Sequence, residues 1–104
     1  MSKYWEEVRE NHYTLKAIIN LKEYELCDLH LTPFKDGKDY ACKIYIGECI
    51  CNNNINPVFD IFSAIDIESA KAQAENFVIK QINKKKDSLE SELYQYNKIL
   101  DELK

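Results

Sequence analysis

Four cysteines, Cys27, Cys42, Cys49 and Cys51, and two histidines, His12 and His30, are the side chains of this 104-residue chain with the types needed for nucleophilic or metal chemistry. Zinc sites usually announce themselves as paired C-x2-C knuckles, whereas Cys49 and Cys51 are separated by one residue and the other two stand alone. Cys27 and Cys42 also fall on the apolar side of alternating stretches, where a thiol acts as a small hydrophobe. A Cys nucleophile activated by histidine would need the fold to carry His30 to Cys49 or Cys51, and no local signature accompanies either thiol. The acidic pairs Glu6 with Glu7 and Glu90 with Glu92 point apart on a helix and read as solvated faces. Gly37 and Gly47 are isolated, so there is no phosphate-cradling loop. Lys84, Lys85 and Lys86 are flanked by Asp87, Glu90 and Glu92 and read as helix surface rather than a nucleic-acid contact. No catalytic, cofactor-binding or metal-ligating residue is assigned, and an enzyme is not expected.

The composition fits one globular domain. Apolar residues make up 45% of the chain and charged residues 31%, and only two Gly and two Pro interrupt it. Seven Tyr and four Phe let a small core gain large buried area from few side chains. The net charge of −4, with acids and bases intermixed, excludes both a basic nucleic-acid binder and a dense acidic mimic of DNA. No run approaches the length of a membrane span, and acids stand where a signal peptide would carry basic residues. The expected location is cytoplasmic, with the cysteines as free thiols.

The expected class is α+β: a short N-terminal helix, an antiparallel sheet of three to four strands, and a long C-terminal helix. "MSKYWEEVREN" offers Ser2 as N-cap and Tyr4, Trp5 and Val8 on one side, which suits a short amphipathic helix, with an opening strand as the rival. From His12, strict alternation of Tyr13, Leu15, Ala17, Ile19 and Leu21 predicts a half-buried strand. "LKEY" is expected to turn the chain into a second strand bearing Cys27, Leu29 and Leu31 and closed by Pro33. "KDGK" signals a hairpin into a third strand, with Tyr40, Cys42, Ile44 and Ile46 on one face and Ala41, Lys43 and Tyr45 on the other. "CNNNINP" reads as a loop, and Val58 to Phe62 as a fourth short strand.

From Asp66 the period becomes helical, with Asp66 as N-cap, Glu68 in the first turn and no Gly or Pro through Lys104. Ala70, Ala74, Phe77, Val78 and Ile82 are expected to pack on the sheet. Beyond them a heptad places Ile79, Lys86, Leu93 and Leu100 at a, and Ile82, Leu89, Tyr96 and Leu103 at d. The chain thus divides into an α+β body over 1–83 and a helical extension over 84–104. The extension either projects as one continuous helix, the favoured reading, or breaks at "KKKDSLE" and folds back. A continuous helix needs something to cover its seam, and Ile82, Lys86, Leu89, Leu93, Tyr96, Leu100 and Leu103 are the expected dimer or partner interface.

The helix, strands and terminal helix superficially resemble a double-stranded-RNA-binding domain, but the basic loop and lysine-rich helix start are missing. "YACKIYIGECIC" and "VFDIFSAIDIESAKAQAENFVIKQI", with an early Trp5, are similar to small phage and prophage accessory proteins of low-GC bacteria. That resemblance implies a non-enzymatic product of a mobile element that inhibits a host defence protein, such as a CRISPR effector, by steric binding; no functional residue transfers with it. Two alternatives stand beside it. One is a dimeric sponge that sequesters a small nucleotide signal, with Lys84, Lys85 and Lys86 supplying charge; the other is a Cys/His metal-binding or Cys-dependent protein. The expected partner is a protein, with a homodimer through the C-terminal helix, no membrane contact and no direct nucleic-acid binding.

Overall fold

The computed structural model describes residues 2–35, 37–47, 50 and 59–104. Five strands, β1 (Ser2–Arg9), β2 (His12–Ile19), β3 (Lys22–Pro33), β4 (Tyr40–Ile46) and β5 (Phe59–Ala64), pair antiparallel with their sequence neighbours in the order β1-β2-β3-β4-β5. One helix, α1 (Ile67–Leu103), follows, so the chain is α+β with five strands where three to four were expected. The additional strand is β1, which replaces the expected N-terminal helix. Ser2 caps nothing and instead lies opposite Ile18. Tyr4, Trp5 and Val8 satisfy a helical stripe, but period-two pairing sends Lys3 and Trp5 to the face covered by α1 and leaves Tyr4 on the other, with Val8 at the register shift between Glu7 and Arg9. Trp5 Nε1 donates to Glu75 on α1 at 3.2 Å, and the Lys3 ammonium meets the same carboxylate at 3.2 Å. The sheet thereby gains a strand through contacts 70 and 72 residues distant in sequence.

β2 ends at Ile19, earlier than the alternation suggested, and the reversal is the pair Asn20 and Leu21 with φ of 52° and 67° rather than "LKEY". Two consecutive positive φ values make the tight turn whose twist suits adjoining strands. Lys22 to Tyr24 belong to β3. The later hairpin forms as expected, with Gly37 at φ 72° and Phe34 N donating to Asp39 O at 3.0 Å; Asp36 lies outside the described residues. β5 begins at Phe59 and runs on to Ala64, and Val58 also lies outside them.

One sheet face carries Tyr13, Leu15, Cys27, Leu29, Leu31, Cys42, Ile44 and Ile46, all buried, and α1 closes over it with Ala70, Ala74 and Val78. Small side chains at two of these helix positions let the helix backbone approach the sheet closely. Phe77 is half-buried beside them, while Ile82 is 41% exposed and does not join the core. Asp66 caps the helix as expected: its backbone is extended and its carboxylate accepts from Ser69 N at 2.7 Å. No break occurs near 84–88, and α1 is continuous.

Its 37 residues extend about 55 Å at about 1.5 Å each. The molecule measures 66 × 28 × 22 Å, and its radius of gyration of 17.4 Å exceeds the roughly 13 Å of a compact chain this long. The far half of α1 stands clear of the sheet as an arm.

Candidate functional site

Two surfaces carry side chains that the core does not consume: the arm and the open face of the sheet. On the arm, Leu89, Leu93, Tyr96, Leu100 and Leu103 are between 51% and 78% exposed. Ile79 and Ile82 continue the seam inward at 54% and 41%. At about 100° per residue, the seam lies about a quarter turn from the stripe Ala70, Ala74 and Val78 that faces the sheet. The sheet therefore cannot cover it even where the two run side by side. Lys86 is exposed within the seam and supplies its one charged position. Lys84 is exposed as well.

The open face of the sheet carries a row of rings. His12 on β2 stacks on His30 on β3, with centroids 4.0 Å apart and planes at 20°. His30 meets Tyr45 on β4 edge-on at 5.8 Å, and Tyr45 meets Phe59 on β5 at 6.1 Å. The Lys43 ammonium lies 5.2 Å from the centres of both Tyr45 and Phe59, within cation–π range. Beside the stack, Thr14 Oγ1 donates to Asp28 Oδ1 at 2.6 Å, and the same oxygen is 3.5 Å from His12 Nε2 without hydrogen-bond geometry. Partial burial, then the neighbouring His12, hold His30 below the usual histidine range, with Arg9 and Lys43 adding to that and Asp28 opposing it. Toward β1, Lys16 joins Glu6 at 2.6 Å and Glu23 at 3.3 Å, and Tyr4 donates to Glu23 at 2.9 Å. These hydrogen bonds with Glu6 hold the Lys16 ammonium's proton more firmly than usual.

Neither described thiol can meet a histidine here. Cys27 and Cys42 point to the helix-covered face, and His12 and His30 to the opposite one. Burial pushes the Cys27 thiol up to about 12 and raises that of Cys42, the reverse of what a nucleophile requires. Cys49 and Cys51 lie outside the described residues. Among the described residues no group of three or more His, Cys, Asp or Glu side chains is placed to hold a metal ion. A shallow concavity of about 560 Å³ beside Gly47 contains Glu23, Glu25 and Asp28. Glu23 and Asp28 already bond Tyr4, Lys16 and Thr14, so the carboxylates do not converge on free space.

No family model, curated protein or solved structure matches this chain. Among the described residues no helix is long and apolar enough to cross a membrane. Sequence reasoning located the seam by its heptad spacing but missed the ring row. Sequence alone offers His12 and His30 as reactive side chains and sets Lys43 and Tyr45 on one strand face, with nothing to join them. The register His12 opposite His30 and His30 opposite Lys43 is what assembles them.

Proposed function

We propose that this chain is a non-enzymatic interaction protein that works as an assembled pair, with the sheet body as head and the arm of α1 as joint. The observation that carries this reading is the seam of Ile82, Leu89, Leu93, Tyr96, Leu100 and Leu103 standing in water on a helix that leaves its own body behind. Apolar positions repeating every three to four residues along such a helix gain free energy only when another helix covers them. The head then acts sterically, by occupying a surface of a target protein. The likeness of 40–51 and 58–82 to phage accessory proteins supports a bacterial defence protein as that target, and this part of the reading rests on the sequence pattern alone.

Molar mass by light scattering over a dilution series tests the joint. The wild-type chain should run at twice the monomer mass of 12.3 kDa at high concentration. The double variant Leu93→Asp with Leu100→Asp should run as a folded monomer, because two carboxylates at adjacent a positions are costly to bury. A wild-type chain that stays monomeric at every concentration would overturn the reading.

A further inference from the structure

We infer that the occupant of the seam is a second copy of this chain lying parallel and in register, so that both heads emerge at the same end. This deepens the assembled-pair reading and rests on it. The choice follows from which charges flank the seam. With Leu93 and Leu100 at a and Leu89 and Leu103 at d, Lys85 falls at g and Glu90 at e, the positions that meet across a parallel pair five residues apart. Each Lys85 then faces Glu90 of the second copy, twice by symmetry, and every apolar layer from Ile79 to Leu103 meets its own counterpart.

Each antiparallel arrangement loses something the parallel pair keeps, and the shift that sets Leu103 against Lys86 leaves Ile79 and Ile82 uncovered. Full overlap from Ile79 to Leu103 pairs like with like at the centre: Glu90 with Glu90 and Glu92 with Glu92 of the second copy. A shift of one heptad matches Lys85 with Glu92 but lays Leu100 against Glu75, whose carboxylate is already held by Lys3 and Trp5. The same shift sets Leu103 beside Ala72. In the parallel pair the single unfavourable layer is Lys86 on Lys86. A lone lysine at an a position costs stability but fixes register, because any slip sets it against an apolar side chain.

Two charge-reversal variants, Lys85→Glu and Glu90→Lys, provide the test by molar mass and sedimentation. Each alone places like charges opposite one another at both symmetric pairs, and should weaken association about tenfold. Mixed in equal amounts, the two should form a heterodimer as tight as the wild-type pair, since both pairs between positions 85 and 90 then join opposite charges. Dimers that persist at wild-type strength in Lys85→Glu alone, with no preference in the mixture, would overturn the parallel arrangement and leave the assembled-pair reading standing. A monomeric wild-type chain would remove both.

Discussion

Leu21 combines a backbone and a side chain that suit neither each other nor the solvent. Its φ of 67° is a conformation L-residues other than Asn and Asp avoid, and its side chain is fully exposed, so packing returns nothing for the strain. Replacing Leu21 by Gly, the favoured second residue of this turn, should raise stability by about 0.5–1 kcal/mol in urea denaturation. Gly47 is the opposite case. A Cβ there would run into the backbone carbonyl of Glu25, while Gly47 N donates to Leu26 O at 2.9 Å. Gly47→Ala should therefore cost about 2 kcal/mol or more, because backbone rather than a flexible side chain would have to move. His30 adds a pH dependence. Its proton affinity is lower in the folded state, so the unfolded chain binds more protons as pH falls through the ordinary histidine range. The thermal midpoint should drop between about pH 7 and pH 5.5, a window above the titration of most carboxylates. The drop should shrink in His30→Gln; an unchanged slope in that variant would show that the ring stack does not carry the effect.

The elements show which parts of this architecture sequence periodicity can reveal. Helix α1 was legible because its start has a cap, its interior lacks Gly and Pro, and its apolar spacing persists to Leu103. β2 and β4 were legible from clean alternation. β3 was only half so: Tyr24 lies opposite Ala17, but Cys27 lies opposite Leu15, which leaves Leu26 as an extra residue in a bulge. The adjacent apolar pair Leu26 and Cys27 marks this change of phase, and without the inserted residue His12 would pair with Leu29 instead of His30. The ring row thus depends on a bulge that simple alternation overlooks. β1 reads as a helix from sequence because Tyr4, Trp5 and Val8 share a helical face, whereas the sheet sets Tyr4 and Trp5 on opposite sides, and the deciding contact, Trp5 to Glu75, belongs to tertiary structure. At this scale Asp66→Ala should cost about 1 kcal/mol through loss of the cap to Ser69 N. Lys86→Ile should tighten the pair in sedimentation while weakening its choice of register and oligomer number, since an all-apolar seam no longer penalises a slip.

At the scale of the whole molecule, the arm and the body obey different thermodynamics. The body holds its own core between one sheet face and Ala70, Ala74 and Val78, so its stability is set within one chain. The arm beyond residue 84 has some 20 residues and every one past Lys85 is exposed. The arm needs no nucleus of its own, because α1 is already held on the sheet by Ala70, Ala74 and Val78, but without packing its propagation is only weakly favourable and it frays from the free end. Its helicity should then be a property of association. Diluting the protein through the dissociation range should lower the far-UV circular dichroism at 222 nm as the arm frays. The near-UV signal of Trp5 and the core tyrosine Tyr13 should stay constant. Mass action makes the apparent melting of the arm rise with concentration, while that of the body should not. The variant Leu93→Asp with Leu100→Asp should show the low-helicity limit at all concentrations. Helicity that holds its full value in a chain proven monomeric would mean the arm is stable by itself, and the assembled molecule would lose its thermodynamic motive.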